Sequence, residues 1–373
     1  MNKIRRGIGL GGAILSILLS PALGLAQVRA ILPLPDVLGY KTLKCDFHMH
    51  TVFSDGDVWP TNRLEEAWRD GLDAMAITDH SDYNPHKEDL KPDCARAYDL
   101  IRPQAERYGI VLIPAVEVAE GDLHFNALFV KDANAFKGAK LLDALQQARA
   151  QDAFAFWNHP GWKQPAEWFP PVAAAYDQKL FQGMELVNGD SFYPEAYPWV
   201  DARKLTILAN SDAHDPIPAA RDGSVRPMTL VFARTADVTG IREALIERRT
   251  VAWMGGEVWG GEPFLKGLWE NAVKLESPQL GVRIAGPGAV LRLRNASAMD
   301  FKPRLLKAPS WVRISVGETP LRGQSVMAYT LRAAKDAPAG LQRIDVELEL
   351  TNMHIGPGKN LVVILPLILD VLQ

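Results

Sequence analysis

The sequence has little cysteine, little histidine and no excess of positive charge. Among 373 residues there are 2 Cys and 8 His, and 41 Lys plus Arg against 44 Asp plus Glu give a formal net charge of -3. Two cysteines exclude a disulfide scaffold and a four-thiolate zinc module. The lack of a basic field argues against binding of long nucleic acids. A hydrophobic content of 47% with 23% charged residues excludes a disordered chain and a polytopic membrane protein.

Long apolar runs are also scarce, and the first of them lies at the N-terminus. Three basic residues between positions 3 and 6 precede the apolar stretch Ile8–Leu19, and Gly24 and Ala26 are small residues of the kind a signal peptidase requires. This order is typical of a secretory signal peptide. We therefore predict that residues 1–26 are removed and that the mature protein is secreted, in the periplasm, with no stable membrane insertion. An uncleaved membrane anchor is the alternative.

The length predicts two domains, and the sequence pattern changes where they would meet. From about residue 43 to 250, short apolar runs alternate with helical patterns, which indicates parallel β/α units. The predicted strands are Leu43–Phe47, Ala74–Thr78, Ile110–Val116, Ala153–Trp157, Gly183–Val187 and Leu205–Ala209. The predicted helices begin at Thr61 and lie near 92–108, 138–150 and 238–248. In such folds active residues gather at the carboxyl ends of strands.

After about residue 262, apolar and polar residues alternate with a period of two. Val346 and Leu348 are separated by Glu347, for example, and the apolar run Leu361–Leu372 is too short to span a bilayer. This pattern predicts half-buried antiparallel strands in a small β-sandwich. The expected organisation is a signal peptide (1–26), a β/α domain (27–262) and a sandwich-like all-β domain of unknown role (263–373).

Histidines and acidic residues recur at the ends of the predicted strands. Residues two apart in an extended strand face the same side, so His48 and His50 can point at one ion, and so can Asp212 and His214. A single histidine is most often a hydrogen-bonded structural residue. Six of them at strand ends of one domain, together with carboxylates, indicate a site instead. The candidate ligands are His48, His50, Asp55, His80, Glu117, His124, His159, Asp212 and His214.

These residue types point to divalent metals. Neutral imidazoles and carboxylates are what borderline divalent ions bind, and nine candidates exceed the needs of one tetrahedral site, so two or three ions are expected. Two-metal sites suit displacement at phosphorus, because one ion holds the attacking oxygen while both stabilise charge on the phosphoryl group. The negative net charge does not exclude an anionic substrate, since the ions would add positive charge at the pocket.

The motifs resemble those of the PHP (polymerase and histidinol phosphatase) superfamily over residues 43–255. They are His48-Met49-His50-Thr51 with Ser54-Asp55-Gly56, Ile77-Thr78-Asp79-His80, Glu117, His159-Pro160 and Ser211-Asp212-Ala213-His214. The signal peptide and the C-terminal β-domain make the chain similar to the secreted branch of Sb-PDE-type phosphodiesterases. The resemblance implies an α/β fold with a distorted (β/α)7 barrel, and a trinuclear centre of Mn, Zn or Fe.

The resemblance also implies which residues hold each metal. The first would be held by His48, His50, Glu117 and Asp212, the second by Glu117, His124 and His159, and the third by Asp55, His80 and His214. Asp122 or Asn126 could take the place of His124. Glu117, Asp212 and His214 would act catalytically as ligands that activate water, and a hydroxide bridging two metals would attack phosphorus in line.

Other residues are expected around the metals. Lys163, Arg221 and Arg226 are candidates for holding the substrate phosphate, although a surface ion pair explains each arginine equally well. Asp46 and Asp79 are expected to orient ligands rather than to bind metal. Aromatic residues near the motifs could line a pocket for an ester group. His86 and His354 are interpreted as surface or loop residues outside the metal set.

The expected function is metal-dependent hydrolysis of phosphate esters, with small alkyl or aryl phosphodiesters as substrates and no long nucleic acid as a partner. The alternatives are a phosphomonoesterase of the histidinol-phosphatase type, an exonuclease on short oligonucleotides, an amidohydrolase-type barrel and a degenerate, non-catalytic domain. A secretory signal argues against histidine biosynthesis, and filled ligand positions argue against a degenerate domain.

Overall fold

The structure, a computed structural model, describes residues 28–219, 226–317 and 319–373, so the predicted signal peptide lies outside the described residues. The helices are α1 (Pro60–Arg69), α2 (Arg96–Tyr108), α3 (Leu141–Ala150), α4 (Pro170–Asp177), α5 (Tyr197–Arg203), α6 (Val238–Ile246) and α7 (Glu262–Ala272). The strands up to residue 260 are β1 (Lys41–Asp46), β2 (Ala74–Ala76), β3 (Val111–Ile113), β4 (Ala115–Glu120), β5 (Leu123–Leu128), β6 (Phe154–Trp157), β7 (Gly183–Asn188), β8 (Ser191–Phe192), β9 (Thr206–Asn210), β10 (Met228–Ala233), β11 (Thr250–Met254) and β12 (Glu257–Gly260). The later strands are β13 (Val273–Leu275), β14 (Gln279–Arg283), β15 (Ala289–Asn295), β16 (Pro303–Lys307), β17 (Val312–Ser315), β18 (Ser325–Ala333), β19 (Gly340–Gly356) and β20 (Lys359–Leu372). Within the described ranges, no helix has the length and apolar character needed to cross a membrane.

Helices form where apolar spacing and end signals agree. Helix α1 begins at Pro60, which suits a first turn because it has no N–H to leave unpaired, and buries Leu64 and Ala67 on one face. Helix α2 ends before Gly109. This residue has a φ of 68°, which glycine adopts without steric cost. The two helices pack against each other beside the first strands of the chain.

The strands up to residue 260 form two mixed sheets. In the first, β1, β2 and β3 are parallel, whereas β10, β11 and β12 continue the sheet beside β1 with antiparallel pairing. In the second, β6, β7 and β9 are parallel, whereas β4, β5 and β6 pair antiparallel. The chain is therefore of mixed α/β class, and the parallel pairing expected throughout holds for only part of the strands.

Isolated bridges join the two sheets at one end. Met49, just after β1, pairs with Ala213, just after β9, and His80, after β2, pairs with Glu117 on β4. The N–H of Asp212 also donates to the carbonyl of His48 at 2.8 Å. Strand ends from both sheets therefore meet at one edge. The closed seven-stranded barrel stays a prediction.

The predicted strand Ile110–Val116 is in fact two strands in different sheets. Pro114 separates β3, in the first sheet, from β4, in the second. Proline has no N–H to donate to a ladder, so a continuous central strand is disfavoured at this position. The break carries Glu117 across to the second sheet, where β4 faces the end of β2.

The alternating segments after residue 273 are strands, as their pattern predicts. β13, β15, β18 and β17 form a four-stranded sheet, whereas β14, β16, β19 and β20 extend the first sheet beyond β12. Val346 and Leu348 on β19 face Leu291 and Ile314 of the four-stranded sheet across an apolar core. The boundary near residue 262 lies within a continuous sheet, because β12 pairs with β19. A separate sandwich domain stays a prediction.

Candidate metal centre

The candidate ligands converge at the edge where the two sheets are bridged. The segment of His48 and His50 lies beside the segment of Asp212 and His214 because Met49 and Ala213, between them, are paired. Alternation then turns both histidines of the first segment to one side, as the spacing of two predicts. The side chains of His48 and His50 are buried, as is that of Glu117 opposite them.

Glu117 lies at the centre of the cluster. Its Oε2 is 3.1 to 3.4 Å from nitrogens of three histidines, and its Oε1 is 3.1 to 3.8 Å from nitrogens of two more. The five are His48, His50, His80, His124 and His159. A buried carboxylate that contacts five imidazoles is placed as a ligand shared between ions.

Four overlapping groups of side chains could each hold an ion, because their ligand atoms lie within 4.8 Å of one another. They are His50-Asp55-His80-His214, His48-Glu117-His159, His48-His50-Asp212 and His80-Glu117-His124. All nine candidates are therefore brought together. The grouping differs from the expected division. His50 also joins the group of Asp55, His124 pairs with His80 rather than His159, and Glu117 is in the groups of His159 and His124 but not in that of Asp212. Asn126 does not replace His124, since its Oδ1 accepts from the amide of Asn158 at 3.0 Å and its own amide donates to the carbonyl of Phe47.

The hydrogen bonding of the cluster fits a divalent ion. Five buried atoms of the candidate ligands lack a well-aligned hydrogen bond among the described residues: Asp55 Oδ1, His80 Nδ1, Glu117 Oε2, His159 Nδ1 and Asp212 Oδ1. Buried polar atoms are normally satisfied, because leaving one unpaired costs free energy. Carboxylate oxygens and imidazole nitrogens left free in one place are the donor set that a borderline divalent metal requires.

Glu185 on β7 orients two of the ligands, and sequence reasoning missed it. Its fully buried carboxylate lies 2.9 Å from His48 Nδ1 and accepts the backbone N–H of His159 at 2.8 Å. Amides of Asn188 and Asn210 donate to the same carboxylate. With Nδ1 of His48 engaged, its Nε2 remains free to bind metal. The available signal was one acidic residue inside an otherwise apolar predicted strand.

Asp79 orients a ligand, as expected. It accepts hydrogen bonds from Thr51 N–H at 2.7 Å and from the Ser54 hydroxyl at 2.8 Å, and that hydroxyl lies 3.2 Å from His50 Nδ1. The contact leaves Nε2 of His50 facing Glu117 and Asp212. A buried carboxylate thus fixes the loop that carries the ligand.

Two ligands lie on unusual backbone. His159 has a φ of 27° and Asp212 has a φ of 51°, in the left-handed region that non-glycine residues seldom adopt. The N–H of His159 is held by Glu185, and Asn188 donates to Asp212 Oδ2 at 3.1 Å. Strained backbone persists where surrounding contacts hold it, and it is concentrated at functional sites.

The ionisable groups of the cluster are strongly coupled. Burial disfavours the charge on Glu117 and Asp212, yet the surrounding histidines hold the pKa of both carboxyls well below the usual range. Burial also opposes protonation of His50, but the carboxylates of Asp212 and Glu117 raise its pKa to about 10. Burial lowers the pKa of His80 to about 4. These pKa shifts favour ionised carboxylates beside positively charged imidazole, and a bound metal would supply that positive charge instead.

The three candidates for phosphate binding differ in placement. Lys163 lies at the mouth of the site: its Nζ is 3.6 Å from the ring centroid of Trp162, whose ring is 5.1 Å from those of His124 and His159. The side chain of Arg226 is buried and pairs with Asp46 at 2.7 Å. Asp46 Oδ1 also accepts the backbone N–H groups of His48 and Ser211, so Asp46 holds the backbone beside the ligands, as expected. Arg221 lies outside the described residues.

One interpretation made from the sequence is wrong. His354 is not a loop residue but lies on β19, half-buried between Glu257 and Asn360, at 2.9 and 3.0 Å from them. His86 does lie in a turn and is partly exposed, outside the cluster. The alternation of apolar and polar residues is interrupted at Thr351-Asn352. It therefore did not indicate that β19 continues as far as residue 354.

The chain is similar to a solved two-domain protein from Bacteroides vulgatus described as containing a predicted PHP-like metal-dependent phosphoesterase. Identity is 38%, the TM-score is 0.83, and the match covers 92% of this chain and 100% of the other. This chain belongs to the PHP-like metal-dependent phosphoesterase family. An uncharacterized protein of Methanocaldococcus jannaschii is 46% identical over 187 residues, covering 47% of this chain and 83% of that protein. No protein-family model matches the chain.

Proposed function

We propose that this PHP-like protein hydrolyses phosphate esters with the help of two or three divalent ions, and that small organic phosphodiesters are its substrates. The observation that carries the proposal is the position of Glu117, one buried carboxylate among five histidines and beside two further carboxylates. Such a concentration of ligands around a shared carboxylate suits a multinuclear site.

Nine side chains would hold the ions, in the overlapping groups described above. When bound, Mn, Zn or Fe ions would supply an activated water and positive charge opposite the phosphoryl oxygens. Glu117, Asp212 and His214 act by holding that charge in place, while Glu185 and Asp79 fix the rings of His48 and His50. The buried floor keeps the donor atoms from being satisfied by bulk water.

Lys163 is proposed to contact the substrate phosphate. Its ammonium group is held over the indole of Trp162, and a cation–π contact positions a lysine without neutralising it. Trp162 itself is 37% exposed at the mouth, beside His124 and His159, and offers an apolar surface for an alkyl or aryl group. Arg226 is a weaker candidate for this role than Lys163, because its side chain is buried and paired with Asp46.

The N-terminal pattern supports a secreted, periplasmic protein, and with the C-terminal strands it supports placement near the Sb-PDE-type phosphodiesterases. The proposed secretion and the proposed relation to these phosphodiesterases are independent of the chemistry. Mass analysis of the N-terminus of the mature protein tests the secretion, since cleavage after Ala26 removes the predicted signal.

The test of the chemistry compares bis(p-nitrophenyl) phosphate with p-nitrophenyl phosphate as substrates of the mature protein supplied with Mn(II). We expect faster hydrolysis of the diester. Glu117→Ala should lower kcat/KM at least about a hundredfold, because it removes the ligand common to several groups. His86→Ala is the matched control, since it removes a histidine outside the cluster and should retain activity.

Two results would contradict the proposal. A strong preference for the monoester would replace the phosphodiesterase assignment by a phosphomonoesterase. A protein that neither contains metal after gentle purification nor gains activity with added Mn(II), Zn(II) or Fe(II) is not a metal-dependent hydrolase.

A further inference from the structure

A stack of three aromatic rings connects the C-terminal strands with the floor of the metal centre. His354, on β19, stacks on Trp259 of β12 with ring centroids 5.3 Å apart and planes 24° from parallel. Trp259 stacks in turn on Phe192 of β8, at 4.7 Å and 17°. Trp259 is buried, so the loss of either neighbouring ring would leave a cavity beside it.

Phe192 belongs to the short β7–β8 hairpin that carries residues of the site. It pairs with Val187, and the adjoining pair is Asn188 with Ser191. The Asn188 amide donates to Glu185 Oε2 at 2.8 Å and to Asp212 Oδ2 at 3.1 Å. The position of the hairpin therefore sets the position of the Asn188 amide. That amide contacts both the candidate ligand Asp212 and Glu185, which orients two other ligands.

Two further contacts tie this region to β19. Trp259 is paired with His354 in parallel register, and the Tyr197 hydroxyl, at the start of α5, donates to the carbonyl of His354 at 2.8 Å. The His354 ring is itself fixed from both sides, by Glu257 and Asn360. A ring held at both nitrogens is a rigid end for the stack.

We propose that the C-terminal region positions the metal centre through the His354–Trp259–Phe192 stack, with His354 as a positioning residue. The ring supports Trp259, Trp259 supports the hairpin, and the hairpin presents Asn188 to Asp212. Groups behind metal ligands commonly change metal affinity ten- to a hundredfold, and a support one step further away acts in the same direction with smaller size. The inference rests on the metal site of the proposed function.

The experiment is a Mn(II) titration of the full mature chain, followed calorimetrically, with three substitutions of His354. His354→Ala removes the ring and should weaken Mn(II) binding about fivefold to tenfold. His354→Phe keeps the stacking surface but loses both hydrogen bonds, and should weaken Mn(II) binding less than His354→Ala does. His354→Gln keeps a polar group without the ring and should resemble the alanine variant.

Leu291→Ala is the control, because it empties part of the core between the C-terminal sheets without touching the stack. It should lower the melting temperature and leave Mn(II) affinity unchanged. If His354→Ala fails to fold, Phe192→Leu removes the opposite end of the stack and should weaken Mn(II) binding to a similar extent.

The inference is overturned if His354→Ala and Phe192→Leu bind Mn(II) as tightly as the unaltered protein, or if Leu291→Ala weakens binding as much as they do. An unaltered protein that binds no Mn(II) overturns both this inference and the proposed metal site. Mn(II) binding without phosphodiester hydrolysis contradicts the proposed function alone, since the titration does not depend on turnover.

Discussion

The two parts of the chain bury opposite kinds of side chain. At the bridged edge of the two sheets, charged and imidazole groups such as His48, Glu117 and Glu185 are almost completely buried. Between the C-terminal sheets the buried residues are apolar, as with Leu291 and Val346. Burying polar groups costs free energy unless they are paired, whereas burying apolar area is the main favourable contribution to folding. The buried polar cluster is therefore suited to binding ions, and the buried apolar core is suited to stabilising the fold.

The largest expected effect tests the C-terminal half of this comparison. Leu291 is 2% exposed, so Leu291→Ala should leave a cavity and lower the free energy of unfolding by about 2–5 kcal/mol, measured by urea unfolding. Leu306→Ala is the matched control, because Leu306 is 47% exposed and its loss should change stability by less than about 0.5 kcal/mol. Equal effects of the two would show that this core does not stabilise the chain.

The next largest expected effect tests the buried polar cluster of the metal centre. Glu185→Gln keeps the shape of a buried side chain but replaces the acceptor that faces His48 Nδ1 and the His159 N–H. We expect Mn(II) affinity to fall about ten- to a hundredfold, measured by calorimetric titration. Glu195→Gln, at an exposed position after the β7–β8 hairpin, should have no effect. An unchanged affinity for the Glu185 variant would mean that the ligands are held without it.

The sequence predicted some features of both the metal centre and the C-terminal core, and missed others. Ligands at strand ends were identifiable because chemistry, spacing and strand position coincide, and all of them meet around Glu117. Alternation likewise indicated the C-terminal strands. Glu185 was missed because a single acid within an apolar run carries no spacing signal, and its partners come from distant segments. The split at Pro114 was missed because the apolar run continues through it.

Pairings distant in sequence were the least accessible. Nothing local shows that Arg226 meets Asp46, or that β12 joins β19 and places His354 on Trp259. Such contacts are set by which strands become neighbours, and a period of two says which face a residue takes but not which strand lies beside it. For the same reason, β4 was expected to be parallel but pairs antiparallel with β5, and the antiparallel strands β10 and β11 were not predicted.

The smallest expected effect lies at the junction of the two parts, where Glu257 meets His354 and Lys302. Hydrogen bonding from His354, aided by Lys302 and opposed by burial, holds the pKa of Glu257 below its usual value of 4.5. A carboxyl with a lowered folded-state pKa stabilises the fold above its unfolded pKa and loses that contribution as the pH falls through the folded value. Glu257→Gln should therefore be less stable than the unaltered protein near pH 6, and this difference should shrink as the pH falls below about 4.5.

Because the Glu257 side chain is half exposed, the difference in the free energy of unfolding should stay below about 1 kcal/mol in urea unfolding. Glu270→Gln, at an exposed site on α7, should show no such trend, and a gap that widens with acidity would contradict the ion pair.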